Sequence, residues 1–119
     1  MKILLTVVTI TRMADDLIMV YVTCPEDNAE EIAETLVANK FVACVNILPV
    51  RSIYIWEGKL NRDTEALLLI KTKKRMFKAL ESKIAEIHPY DVPEIVAIRA
   101  DSVSESYLQW VISQTSSSG

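Results

Sequence analysis

An α+β domain of order βαββαβ, closed by one further helix, is predicted by three observations. Apolar, β-branched runs alternate with stretches of helical periodicity. The two middle runs follow one another with only a short polar segment between them, and the prolines fall where elements must stop. At 119 residues, half of them apolar, the chain has the size and core material of one domain.

The elements follow in order. "LIMVYVT" (17–23) is a continuous apolar run and reads as a buried strand. In "CPEDNAEEIAETLVANK", Pro25 suits a first helical position, and Glu26 and Asp27 suit the positive end of the dipole. Ala29, Ile32, Ala33, Leu36 and Val37 share one helical stripe, which Asn39 and Lys40 end. "VACVNILPVRSIYIW" (42–56) is strand-rich, with Pro49 confined to an edge, bulge or bend. "EGKLNRD" (57–63) is read as the turn, and "TEALLLIKT" (64–72) as the return strand of a long hairpin.

"KKRMFKALESKIAEIH" (73–88) has Met76, Phe77, Leu80, Ile84 and Ile87 at helical spacing, and Pro89 and Pro93 forbid its continuation. "EIVAIRA" (94–100) is the last strand. "SVSESYLQWVISQ" (102–114) is a short helix with Ser102 and Glu105 spaced as a capping box, and with Tyr107, Leu108, Val111 and Ile112 on its apolar face. The resulting order is the split βαβ, ferredoxin-like arrangement, with an antiparallel sheet and both main helices on one face. Residues 1–16 form an extension read as an extra strand, 17–114 the domain and 115–119 a polar tail. "MKILLTVVT" has the outline of a short signal peptide, but threonines interrupt it and no small-residue cleavage site follows.

Composition narrows the function. A net charge of −3 offers no basic field for nucleic acid, and no run reaches the length of a membrane span. The acidic, apolar-rich composition points to a cytoplasmic protein whose apolar excess is buried in an oligomer. Only two glycines, Gly58 and Gly119, exclude a Walker loop or a dinucleotide-binding turn, since both need several glycines close together. Cys24 and Cys44 match no zinc or redox spacing and read as reduced thiols. A helix N-terminus beside Cys24 could lower its pKa, although packing is the simpler role.

The only histidine, His88, stands in "HPYDVPE" with Tyr90, Asp91 and Glu94. It could exchange protons with either carboxylate, bind Cu(II) or Zn(II) through imidazole, or end a helix. One histidine cannot build a multi-histidine site, so a metal would need Cys44, carboxylates or a second subunit. "KTKKR" (71–75) places four cations at a strand end and a helix start, which suggests an anion there held by bare N–H groups, Lys71 and its neighbours. The alternative is a solvated basic face. Tyr54 and Trp56, near the hairpin tip, suit a subunit contact.

The segments "VYVTCP", "FVACVNILPVRSIYIWEGKL", "DTEALLLIKT", "HPYDVPEIVAI" and "YLQW" resemble, in that order and spacing, the CutA divalent-cation tolerance family over residues 18–112. The resemblance implies a homotrimer in which hairpin strands pair across subunits, a relation to the PII signalling proteins, and a role in tolerance of copper and other divalent cations. It makes Cys44 and His88 the metal candidates, and places Lys71, Tyr90 and Trp56, with Asp91 and Glu94 of the same loop, around an intersubunit cleft for a metal ion or a small anion. No cofactor is expected to be needed for folding, and no enzymatic activity is implied. Two other classes stay open: a structural trimeric scaffold or anchor, and a small acid–base enzyme using His88. The segment "IRADSVSES" (98–106) departs from the family pattern, as do the first sixteen residues.

Overall fold

The structure is a computed structural model that describes residues 15–116. The expected extra strand of the extension therefore falls almost wholly outside the described residues. Within them run β1 (Leu17–Cys24), α1 (Glu26–Ala38), β2 (Cys44–Trp56), β3 (Lys59–Lys73), a 3₁₀ turn (Lys74–Met76), α2 (Phe77–Ile87), β4 (Val96–Arg99) and α3 (Glu105–Gln114). The strands form one antiparallel sheet in the order β2-β3-β1-β4, which is the ferredoxin-like topology.

The period-2 pattern of the central strands explains the core. Ile18, Val20, Val22 and Cys24 of β1 share a face with Ala66, Leu68 and Ile70 of β3. Onto it pack Ala29, Ile32 and Leu36 of α1 and Leu80 and Ile84 of α2, so both main helices cover the same face. β1 is nevertheless not buried on both sides. Met19, Tyr21 and Thr23, pointing the other way, are half-buried, because no helix among the described residues lies over that part of the sheet. Leu17 instead joins Ala43 and Val111 in a second cluster with Ala100, Val103, Tyr107 and Leu108, through which α3 closes one end of the sheet.

Several boundaries differ from the sequence expectation. The hairpin turn is only Glu57–Gly58, both at positive φ (51° and 77°), between the paired residues Trp56 and Lys59. Two left-handed residues match the twist of the strands, so Lys59–Asp63 continue the ladder instead of forming a loop. Pro49 lies on β2, an edge strand of the sheet, as its missing N–H requires. Pro25 caps α1 rather than opening it: its carbonyl accepts the Asn28 N–H at 3.0 Å. Cys24, next to it, ends β1.

At the other end of α1, Lys40 takes φ 63°. Its N–H donates to the Val37 carbonyl and the Phe41 N–H to that of Leu36, a Schellman closure. The expected Ser102–Glu105 capping box does not form. Ser104 precedes the first turn of α3, while Val103 is drawn into the second cluster and the Ser102 hydroxyl turns to Asp101. β4 is shorter than expected, pairing only from Val96 opposite Tyr21, and Pro93 has no N–H to extend it.

Candidate functional site

The "HPYD" loop owes its shape to His88. Pro89 holds His88 in extended backbone (ψ 139°), which ends α2 and leaves the His88 N–H on the Ile84 carbonyl at 2.8 Å. His88 is only 7% exposed, and its ring is held on both sides. Nε2 lies 2.8 Å from the Thr23 carbonyl, and Nδ1 accepts the Tyr90 N–H at 3.0 Å. That pairing requires the neutral tautomer with hydrogen on Nε2. The Tyr90 ring leans on the imidazole with centroids 4.9 Å apart.

Tyr90 carries the connection onward, donating its hydroxyl to Glu65 Oε2 at 2.8 Å. Glu65, on β3, is itself only 5% exposed. Partial burial, together with the hydrogen bond to Glu65 and that carboxylate's charge, pushes the Tyr90 phenol well above its ordinary range. A second tyrosine–carboxylate pair lies further along the hairpin, where the Tyr54 hydroxyl donates to Asp63. This bond, followed by weaker contributions from desolvation and nearby carboxylates, raises the Tyr54 pKa as well.

These groups wall a cavity of about 650 Å³ between the loop and the hairpin. β1 contributes Thr23; β2 contributes Ser52, Ile53, Tyr54 and Trp56; β3 contributes Glu65; and the loop contributes Tyr90, Asp91, Val92 and Glu94. Four of the expected cleft residues, Trp56, Tyr90, Asp91 and Glu94, thus meet at one site. Lys71 is not among them. It pairs with Met19 and Cys44, four residues along β3 from Leu67, the partner of Thr23, a separation of about 13 Å.

The proposed metal pair is also separated within the chain. Cys44 starts β2 opposite Lys71, two strands away from β1, where His88 holds Thr23. Both imidazole nitrogens are already engaged, and no group of three His, Cys, Asp or Glu side chains among the described residues could hold a metal ion. The acid–base reading loses its geometry too, because His88 bonds to backbone and not to Asp91 or Glu94. Both cysteines are free. Burial, then the charge of Glu65, pushes the Cys24 thiol up, opposite to the lowering expected from a helix end.

"KTKKR" divides between two places. Lys73 is buried at the end of β3, and desolvation lowers its pKa. Lys74, Arg75, Lys78 and Arg99 line a basic hollow beside α2 with Ile18, Phe77 and Ala97. Three of these cations are already paired, Arg75 with Asp15 at 2.8 Å, Lys78 with Glu81 at 3.6 Å and Arg99 with Asp16 at 3.7 Å. Lys71 has no place in that hollow.

Sequence reasoning missed Glu65 as a site residue. The signal was present: in "DTEALLLIKT" Glu65 has the opposite parity to Ala66, Leu68 and Ile70, and so must leave the helix-covered face.

The sheet order and the two helices on one face define a ferredoxin-like α+β domain, with a cavity where its long hairpin meets the loop after α2. The model of the CutA1 divalent ion tolerance protein family matches residues 18–114, and the chain belongs to that family. It is 41% identical over 100 residues to the divalent-cation tolerance protein CutA of Pyrococcus horikoshii, covering 83% of this chain and 98% of that one. It is likewise 41% identical over 99 residues to the human protein CutA, covering 82% of this chain but 55% of the human one. The chain also spans 62% of the Xenopus laevis homolog, so some relatives are much longer. Among solved structures, CutA1 from Oryza sativa superposes with a TM-score of 0.84 at 37% identity, covering 88% of this chain and 98% of its own. The PII-like protein CutA from Nostoc gives 0.81 at 35% identity, with 83% and 97% covered. No described helix is long and apolar enough to cross a membrane.

Proposed function

We propose that this chain is a non-enzymatic, PII-like binding protein of divalent-cation tolerance, acting in the cytoplasm as a homotrimer, with the cavity between loop and hairpin as its ligand site. The observation that carries the reading is the relay Thr23–His88–Tyr90–Glu65. It fixes one wall of the cavity through three hydrogen bonds of 2.8–3.0 Å. His88 thereby acts as a positioning residue rather than a metal ligand. Copper held jointly by Cys44 and His88 would need two subunits and the opening of the hydrogen bond at one imidazole nitrogen, so the cavity is the favoured site.

The trimer is supported by what the subunit leaves uncovered. Ile55 and Leu60, a cross-strand pair at the hairpin tip outside the cavity lining, are both more than half exposed, at 71% and 56%. The same tip favours a second reading, a scaffold that assembles without a ligand.

Sedimentation of the purified chain at micromolar concentration should give three times the chain mass, and a monomer would remove the trimer. Calorimetry with Cu(I), Cu(II) and Zn(II) then separates the sites. Binding weakened by Glu65→Gln but unchanged by Cys44→Ala supports the cavity, whereas dependence on Cys44 alone moves the metal elsewhere. A trimer that binds no small molecule leaves the scaffold reading.

A further inference from the structure

We propose that the cavity takes an organic polyammonium ion, with its ammonium groups at Glu65, Asp91 and Glu94 and its alkyl stem against Tyr54 and Trp56. This rests on the cavity being the ligand site, and four features of its walls specify the ligand class.

The first is sign. Among the described residues, three carboxylates line the cavity and no Lys, Arg or His does. A phosphate or carboxylate ligand would meet like charge on every side with no compensating cation, while a polycation would be matched. The second is the aromatic part of the lining, where β2 supplies Tyr54 and Trp56; aromatic rings attract an ammonium group and pack against methylene groups. The third is dispersion of the charge. The carboxylates do not converge into a set of three ligands that could grip a compact metal ion. A ligand that spreads its charge along a chain has no such requirement. The volume, about 650 Å³, also falls in the range of cavities for organic ligands.

The fourth is an unused acceptor. Glu65 is 5% exposed, and Tyr90 donates to only one of its oxygens. The other oxygen has no hydrogen-bond partner among the described residues. A nearly buried carboxylate with a free oxygen on a cavity wall is suited to a charged N–H donor, for which the hydrogen bond is strong and directional. The Tyr90 phenol, held protonated by its surroundings, remains a donor to the first oxygen and does not compete for the second.

The test uses the full chain in its native assembly. The sequence has two tryptophans, so Trp110→Phe leaves Trp56 as the sole indole reporter. Spermidine is titrated against octanediol, an uncharged chain of similar length, with fluorescence and calorimetry as readouts. Saturable binding of spermidine at one site per chain is expected, with no response to octanediol. Glu65→Gln, which keeps an acceptor for Tyr90, should weaken spermidine about tenfold or more. Trp56→Leu, read by calorimetry, should weaken it as well, with circular dichroism showing both variants folded. Equal binding of octanediol, indifference to Glu65→Gln, or no binding of spermidine would overturn the proposal. If Zn(II) changes the Trp56 signal in a Glu65-dependent way while spermidine does not, the cavity stands as the site and the ligand class falls. If neither probe acts there, both readings fall together.

Discussion

The base and the tip of the β2–β3 hairpin are built alike and live in different surroundings. Both carry runs of apolar residues, and both belong to one unbroken ladder from Cys44↔Lys71 to Trp56↔Lys59. At the base, Leu68 and Ile70 are fully buried under α1 and α2. At the tip, Ile53 and Ile55 point to the same side of the sheet as those residues and are exposed, with none of the described helices over them. The difference teaches that backbone pairing carries a strand well beyond its core, and that apolar side chains past that limit belong to some other contact. The cavity lies at the boundary, where the loop after α2 reaches the last buried position, Glu65.

Substitutions ordered by expected effect probe that boundary. Leu68→Ala, in the covered base, should cost about 2–5 kcal/mol in urea unfolding at fixed protein concentration. A cost as small as that of a surface change would mean that the base is not the core. His88→Ala removes the partner of a backbone carbonyl and the acceptor of an amide, and should cost about 1–3 kcal/mol. If stability is unchanged, the loop is not tethered through the imidazole.

Tyr90→Phe should cost less, about 1 kcal/mol, because the tyrosine is partly exposed. It also carries a pH signature. The folded state holds the phenolic proton more tightly than the unfolded chain, so the stabilisation is complete below the unfolded value near 10.0 and is lost as pH rises beyond it. Denaturation midpoints measured from neutral to strongly alkaline pH should fall less steeply in Tyr90→Phe than in the parent. Parallel curves would show that Tyr90 is not coupled to Glu65.

Smallest for the subunit is the double change Ile53→Ser/Ile55→Ser at the tip, expected to alter its own stability by less than about 0.5 kcal/mol. In sedimentation the same variant should shift the mass toward monomer. An unchanged trimer would show that the tip is free surface.

Much of the fold was legible because its signals are local. Helical spacing marked α1 and α2, the apolar runs marked the strands, and Pro89 marked the end of α2. Boundaries that depended on neighbours were not. Val103 is drawn into a cluster with Leu17 and Val111, which moves the start of α3 past Ser102. Lys59–Asp63 read as a loop because their polarity reflects missing cover rather than missing strand.

For the site, Trp56, Tyr90, Asp91 and Glu94 were identified as a group and do converge. Lys71 and Cys44 also stand in segments that resemble the family but lie at the far end of the hairpin. The sequence alone determined which residue types were available, which segments were helix or strand, and that no glycine-rich phosphate loop could exist. Periodicity and turn chemistry act over a few residues and need no knowledge of the rest of the chain. Only the tertiary structure decided that His88 would spend both nitrogens on backbone groups, that Glu65 would be buried beneath Tyr90, and that Lys71 would stand apart. Those outcomes depend on strand register and on the angle at which a loop crosses the sheet, which are fixed when distant segments pack together.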